Sequence, residues 1–516
     1  MSRSLRRALG ALLAAALVAS ACSDDTEGAG GGLAELAVAT TTTSTTVDEP
    51  DDPPDDAPPG GGSLDWSERG GGWQEAVIEV PLDHDDPAGP TIEIALVRRP
   101  AGEPGERIGP LLLNPGGPGA SGIELALLTP VLFPAEILDR FDIIGFDPRG
   151  VEASTPVTCG DGRFLDLYTA VDPVPDSPEE RAGAEELIEA FATNCVEESG
   201  ELLPHLSTVD TAKDMDLIRA ALGDAQISYL GFSYGTFLGA TYLELFPDRA
   251  RAAVLDGAYS RSLSPADMAE GQAVGFERSI DAFLDWCQPE RCDLAEGGAD
   301  PEADLLAILD AVDAAPLPTD DEKRALTVGL AWTGVIMAMY SPGLWPILDS
   351  ALVQARDEGQ GSRLLALADQ YNDRSRNGEY SNSSFAFTAI NCMDDRPLSP
   401  EEEAELVDRV LAAAPRIGPL FVSLPSPCEH WPAESDAPTG PFSAPEAPPV
   451  LVVATTGDPA TPYEWGVRLA DELETATLLT VEGEGHTAYG QGRSCVDDAV
   501  DEYLLTLELP PEGTRC

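Results

Sequence analysis

The sequence contains almost no lysine and few basic residues of any kind. Lys213 and Lys323 are its only lysines, and 30 basic residues stand against 91 acidic ones, which gives a formal net charge of −61. A surface this acidic repels the phosphate backbone, so DNA and RNA are set aside as partners. The acidic excess indicates a well-solvated, soluble surface, and an acidic binding role is the alternative interpretation.

Histidine is also scarce, and the common metal-binding spacings are missing. The chain has four histidines, far apart, and neither C-x-x-C nor H-E-x-x-H occurs. These are the spacings through which zinc sites are usually built. The sequence therefore argues against a metal site.

Long apolar runs are missing beyond the N-terminus. There, Arg3, Arg6 and Arg7 precede a short apolar stretch, residues 8–19, which is too short to span a bilayer. Small residues then lead to Cys22, in a pattern similar to the bacterial lipobox. Residues 1–22 are thus predicted to be a lipoprotein signal peptide with lipid on Cys22, and ordinary signal cleavage is the alternative. We expect an exported protein, either secreted or on the outer face of the cell membrane, that touches the membrane only through this anchor.

The cysteine count fits export. Nine cysteines less Cys22 leave eight, an even number, which predicts four disulfides in an oxidising compartment. Many pairings are possible, and neighbours in sequence suggest Cys159–Cys195, Cys287–Cys292, Cys392–Cys428 and Cys495–Cys516.

Composition divides the chain into a stalk and a folded part. Residues 23–70 are rich in Gly, Thr, Pro and Asp and are predicted to form a disordered stalk. Short apolar runs without alternation then recur between helical stretches, as at residues 109–114 and 141–146. This pattern predicts an α/β fold with a mostly parallel sheet buried on both faces. Residues 261–385 show helical spacing only and are predicted to be an inserted cap, which leaves 71–260 and 386–516 as the core.

Three signals predict a catalytic triad. A G-x-S-x-G motif at residues 231–235 follows a strand-like run and precedes a helix-like one, as in a nucleophile elbow centred on Ser233. Asp458 and His486 each follow a later strand-like run. The order Ser, Asp, His is that of α/β-hydrolases. His486 would accept the proton of Ser233 as it attacks an acyl carbon, and Asp458 would orient and stabilise the imidazole.

The glycine-rich loop at residues 114–119 is the candidate oxyanion loop. An oxyanion hole needs two backbone N–H groups, here predicted to come from Tyr234 and Gly117, since the loop prolines have none. Residues 117–122 also match G-x-G-x-x-G. That match keeps a dinucleotide-binding enzyme as a competing interpretation, although the bare motif is weak.

These motifs resemble those of the actinobacterial tripeptidyl-aminopeptidase family, which is related to the prolyl aminopeptidases and has a TAP-like C-terminal region. The matching segments are residues 80–84, 114–119, 147–150, 231–236, 389–394, 458–463, 485–486, 494–496 and 513–516. The resemblance implies an α/β-hydrolase fold with a helical cap, secretion, no cofactor, and peptide substrates shortened from their free N-termini. The sequence departs from the family at Glu152, which stands where a glycine is usual.

An aminopeptidase must bind a substrate ammonium, and a carboxylate does so by charge pairing. Asp394 lies in one of the matching segments and is the candidate; the alternative is that it caps a loop beside a disulfide. The sequence therefore predicts a secreted serine aminopeptidase of tripeptidyl or prolyl type that works through an acyl-enzyme. A carboxylesterase or lipase on the same triad, and a non-catalytic envelope-binding lipoprotein, are the alternatives.

Overall fold

The structure, a computed structural model, describes residues 64–435 and 437–516. One sheet runs through the described chain in the order β1-β2-β3-β5-β4-β6-β7-β8-β9. Its strands are β1 (Ser67–Gly70), β2 (Trp73–Pro81), β3 (Thr91–Arg99), β4 (Gly109–Asn114), β5 (Phe141–Phe146), β6 (Ile227–Phe232), β7 (Ala250–Asp256), β8 (Val450–Gly457) and β9 (Ala476–Glu484).

The sheet is mostly parallel, which confirms the predicted fold class. Strands β4 to β9 pair in parallel, and β4, β5 and β6 are buried along their whole length. They read as unbroken apolar runs because helices cover both faces. Strands β1 to β3 pair antiparallel, and β3 joins the parallel part through β5. The exposed and buried residues of β2 alternate, as expected where one face meets water.

Helices surround the sheet and form a separate segment between β7 and β8. They are α1 (Gly122–Leu132), α2 (Ala135–Arg140), α3 (Gly162–Tyr168), α4 (Pro178–Ser199), α5 (Thr208–Leu222), α6 (Tyr234–Leu245), α7 (Pro265–Trp286), α8 (Pro301–Ala314), α9 (Val328–Met339), α10 (Trp345–Glu358), α11 (Ser362–Tyr371), α12 (Ser383–Asp394), α13 (Pro400–Ala413), α14 (Pro419–Val422), α15 (Tyr463–Glu472) and α16 (Ser494–Thr506).

Successive residues of the central strands feed opposite cores. Leu112 of β4 joins a core with helices α4, α5 and α6, whereas Leu111 and Leu113 join one with α1, α2 and α16. Side chains alternate across a strand, so one apolar run supplies both layers. The sheet is thus held between two helical layers, with its strand ends free to carry functional side chains.

The helical segment between β7 and β8 has an apolar core of its own. Helices α7 to α11 supply most of it, and α13 adds Leu406 and Val410. The sequence predicts that the cap ends at residue 385. In the structure, helix α13 lies after that boundary and still packs into the core of the helical segment. Helix α12 is the exception, because its residues Phe385 and Ile390 pack into the core of the sheet.

The N-terminal boundary also differs from the prediction. The stalk is predicted to reach residue 70, but β1 pairs with β2 from Ser67 onward. Trp66 lies under the guanidinium of Arg98, with 4.2 Å between the guanidinium carbon and the ring centre. This cation–π contact and the strand pairing order residues that look like linker in composition. The predicted signal peptide, Cys22 and most of the stalk lie outside the described residues.

Four disulfides lie within the described residues. They join Cys159 to Cys195, Cys287 to Cys292, Cys392 to Cys428 and Cys495 to Cys516, the pairs suggested by sequence order. Within the described ranges, no helix has both the length and the apolar character needed to cross a membrane.

Candidate active site

Ser233 occupies a sharp turn between β6 and α6. Its φ of 53° is positive, a conformation that non-glycine residues adopt rarely, and its N–H donates to the carbonyl of Asp256 at 2.9 Å. The flanking glycines allow the turn, since a Cβ on Gly231 would lie 2.3 Å from the carbonyl oxygen of Gly235. The geometry is that of a nucleophile elbow.

Asp458 and His486 meet at the same edge of the sheet. Asp458 directly follows β8, and His486 lies two residues past β9. The Nδ1 atom of His486 is 2.9 Å from each carboxylate oxygen of Asp458. Asp458 also accepts the N–H groups of Ala460 and Thr461, at 3.0 and 2.8 Å. The carboxylate is therefore fixed by its own turn before it orients the imidazole.

The imidazole is held from the helical segment as well. The backbone N–H of His486 donates to the carbonyl of Tyr340 at 2.9 Å. The Tyr340 ring meets the imidazole edge to face, with 5.4 Å between the ring centres. Burial opposes protonation of the ring, but the charge and hydrogen bond of Asp458 outweigh it and raise the pKa of His486 above its ordinary value. This is the arrangement that a base partnered by a carboxylate requires.

Ser233 and His486 open onto one cavity of about 600 Å³ between the sheet edge and the helical segment. Its apolar wall includes Leu128, Met337 and Phe387. The volume is in the usual range for small-molecule and peptide sites. The structure thus brings two of the three predicted triad residues onto the same cavity and the third into contact behind them.

The glycine-rich loop after β4 lies against the nucleophile elbow. Gly117 lines the cavity, and a Cβ on Gly116 would be 3.2 Å from the backbone nitrogen of Tyr234. The side chain of Asn114 fixes the loop by accepting the N–H of Gly116 at 2.9 Å. Tyr234 begins α6, so its N–H has no acceptor within the helix. Tyr234 directly follows Ser233 and Gly117 lines the same cavity, and their role as oxyanion donors stays a prediction.

Three carboxylates line the cavity, and sequence reasoning selected none of them for binding. They are Glu124 of α1, Glu152 of the loop after β5, and Asp373, which follows α11. Burial, reinforced by their mutual repulsion, raises the pKa of Glu124 to about 7, and burial also raises the pKa of Glu152 and of Asp373. No lysine or arginine of the described chain lines this cavity. Its charged wall is therefore suited to a cation.

Only Glu152 left a signal in the sequence, as a carboxylate in place of the family's glycine. It keeps the positive φ that a glycine would take, 41°. Its N–H donates to the side chain of Asn382 at 2.9 Å, and its carboxylate accepts the N–H of Asn382 at 3.0 Å. This reciprocal pair binds the loop to the start of α12 and stabilises the unusual backbone.

Asp394 lies elsewhere, at the end of α12. Its carboxylate accepts the N–H and the hydroxyl of Thr208 at 2.8 and 2.6 Å, and the Thr208 hydroxyl also contacts the hydroxyl of Tyr234. Burial raises the pKa of Asp394 to about 7. Asp394 is not among the residues that line the cavity, so it reaches the site through Thr208 and Tyr234.

Comparison with known proteins agrees with this geometry. The family described as alpha/beta hydrolase fold matches residues 109–294, and the family described as TAP-like protein matches residues 414–516. Serine protease Hip1 of Mycobacterium tuberculosis is 40% identical over 457 residues, 85% of this chain and 86% of the relative. Carboxylesterase B of the same species is 40% identical over 450 residues, 86% of each chain.

A tripeptidyl aminopeptidase of Streptomyces lividans is 31% identical over 483 residues, 88% of this chain and 86% of the relative. Similarity of this extent, over nearly the whole folded chain, shows the family. The chain therefore belongs to the TAP-like, tripeptidyl-aminopeptidase-related family of α/β-hydrolases and is a serine hydrolase.

Proposed function

We propose that this protein is an aminopeptidase that releases short peptides, of tripeptidyl or prolyl type, from free N-termini. The observation that carries the proposal is the wall of the cavity that also holds Ser233, where Glu124, Glu152 and Asp373 place carboxylates and no lysine or arginine of the described chain opposes them. An α-ammonium is the cation that a peptidase substrate brings to such a wall, and charge-assisted hydrogen bonds bind it.

The proposed chemistry uses Ser233, His486 and Asp458. The Ser233 oxygen attacks the scissile carbonyl carbon while His486 takes the hydroxyl proton, and the oxyanion is held by the N–H groups of Tyr234 and Gly117. The C–N bond then breaks as His486 gives its proton to the leaving amine. Water, deprotonated by His486, cleaves the resulting ester, which frees the N-terminal fragment and restores the Ser233 hydroxyl.

The position of the carboxylates would set the length of the fragment. The ammonium is bound at the acidic wall while the scissile carbonyl lies at Ser233, so only the residues between the two points fit. A blocked N-terminus cannot pair with the wall and leaves its charges unmatched. The preference for free N-termini thus follows from the same cavity that holds the nucleophile.

A carboxylesterase is the second candidate. The apolar side of the cavity, with Leu125, Leu128, Met337 and Phe387, is suited to an acyl or alkyl group. One relative of this chain carries the name carboxylesterase B. The same triad chemistry would serve, with an alcohol as the leaving group.

One set of rates separates these functions. The full chain is tested on a tripeptide anilide with a free N-terminus, on its N-acetylated twin and on a nitrophenyl ester, with Ser233→Ala as the control. We expect the wild type to turn over only the free-amine peptide, and we expect Ser233→Ala to lose this activity. Cleavage of the ester and of neither peptide would replace the proposal by the esterase, and folded protein that a fluorophosphonate does not label would indicate a binding lipoprotein.

We also propose that the protein is exported and held at the membrane by lipid on Cys22. The proposal rests on the basic, apolar and small-residue pattern of residues 1–22. Fatty-acid labelling that is lost in Cys22→Ala, with release of the protein into the medium, is expected. Release of both forms would instead indicate ordinary signal cleavage and secretion.

A further inference from the structure

Asp256 ends β7, the strand between the two that lead to Ser233 and Asp458. It is fully buried, with no exposed surface. A buried carboxylate is costly unless its oxygens are paired. Asp256 has no role in the triad, so its contacts call for an explanation of their own.

Asp256 binds backbone groups at Ser233 and in the loop after His486. Its carbonyl accepts the N–H of Ser233 at 2.9 Å. Its carboxylate oxygen Oδ2 accepts the N–H groups of Ala488 and Tyr489, at 2.9 and 2.8 Å, in the loop that directly follows His486. One residue therefore fixes the elbow of the nucleophile and the loop of the base.

The second carboxylate oxygen, Oδ1, is buried and has no hydrogen-bond partner within the described residues. The charged groups that act on Asp256 are His486 and Asp458. The next residue, Gly257, lies beside the imidazole, since a Cβ added there would be 3.2 Å from Cε1 of His486. Asp256 therefore leaves one buried carboxylate oxygen without a hydrogen bond, and its charge favours the imidazolium of His486.

We propose that Asp256 is a positioning residue of this site, one that sets the spacing of Ser233 and His486 and adds a second negative charge to stabilise the imidazolium. The inference rests on the proposed triad. It does not depend on the choice between peptide and ester substrates. Burial raises the pKa of Asp256 to about 6, so the second charge is present at neutral pH and lost in acid.

The test measures the rate at which a fluorophosphonate labels Ser233 as a function of pH, in the full chain and in Asp256→Asn. Loss of the charge lowers the pKa of His486, so the acidic limb of the profile moves to lower pH, by about half a unit. The looser histidine loop slows labelling at pH 8 about tenfold. An anilide substrate, where turned over, shows the loss in kcat with KM unchanged, because Asp256 does not line the cavity.

Asp349→Asn is the matched control. Asp349 is also buried and accepts two backbone N–H groups, of Asp293 and Leu294 at 3.0 and 2.9 Å, within the helical segment. It is expected to lower Tm and to leave the pH profile unchanged. A profile of Asp256→Asn equal to that of wild type would overturn the inference and leave the triad standing. Absence of labelling in wild type would overturn both.

Asp256→Ser serves if Asp256→Asn does not fold, because it removes the charge and leaves a small polar group in the buried site. The same shift of the acidic limb is expected. If neither variant folds, the role of Asp256 is structural and the inference is wrong.

Discussion

His486 and Asp458 face each other with Nδ1 of the imidazole 2.9 Å from both carboxylate oxygens. This contact raises the pKa of His486 above its ordinary value of 6.5. Activity needs the neutral ring, so the acidic limb of kcat/KM lies above pH 6.5 and activity falls as pH drops through it. A pH–rate profile of the wild type measures this limb directly.

Asp458→Asn tests the pair. We expect kcat to fall by about four orders of magnitude, because the amide favours the wrong tautomer. The acidic limb of the pH–rate profile of this variant should lie at lower pH than that of the wild type. Asp142→Asn, a buried carboxylate at the start of β5, is the control and should change Tm alone. Equal profiles for wild type and Asp458→Asn would contradict the role of Asp458.

Gly116→Ala tests the oxyanion loop. The new Cβ would lie 2.5 Å from the carbonyl of Phe232 and 2.9 Å from Cβ of Ser233, and φ is 97°. The loop must move, so we expect kcat to fall about a hundredfold, with KM less affected. Gly223→Ala is the control, also at positive φ but with nothing within 4 Å. It should cost about 1 kcal/mol of stability, because alanine is strained in the left-handed region, and leave kcat unchanged. A fall in kcat no larger than that of the control would argue against the assignment.

Glu152→Gln and Asp394→Asn separate the two candidates for the substrate ammonium. Glutamine keeps an oxygen for the N–H of Asn382 but removes the charge, so KM for a free-amine tripeptide anilide should rise about tenfold. Fluorophosphonate labelling, which involves no amine, should not change. We expect Asp394→Asn to lower both rates alike, because Asp394 acts through Thr208. A selective rise in KM for Asp394→Asn would support the role that the sequence predicts for it.

The acidic wall gives KM a pH dependence of its own. Burial raises the pKa of Glu124 to about 7, so this group is neutral in acid and charged above that range, and burial also raises the pKa of Glu152 and of Asp373. KM for the free-amine substrate should therefore fall as pH rises from 5 through 7. It should rise again once the substrate amine loses its proton, near pH 8. Glu124→Gln should flatten the first change, and a KM independent of pH would contradict ammonium binding by the wall.

The disulfides should differ in their effect on stability. Cys159 and Cys195 are 36 residues apart, and Cys287 and Cys292 are 5 apart. Chain entropy predicts that removal of the first by paired Ala substitution costs about 4 kcal/mol, and removal of the second about 2 kcal/mol. Denaturant unfolding measures both, and the reverse order would show that native packing outweighs loop length.

The sequence by itself determined the hydrolase framework. Strand runs, the G-x-S-x-G turn and the order of Ser233, Asp458 and His486 are local features, because turn chemistry and side-chain periodicity act over a few residues. They predicted the fold class and a site at the carboxyl edge of the sheet. The catalytic roles of these residues stay predictions until the variants are measured.

Only the tertiary structure decided what surrounds that site. Glu124, Glu152 and Asp373 line one cavity although they are distant in the chain. In sequence, Glu124 and Asp373 look like ordinary surface acids, and Glu152 stands out only as a departure from the family's glycine. In sequence, Asp256 looks like the end of a strand and Asp394 like a family motif residue. In the structure, Asp256 binds the loop after His486 and Asp394 binds Thr208. Which carboxylate meets which cavity depends on contacts across hundreds of residues, and no local pattern records them.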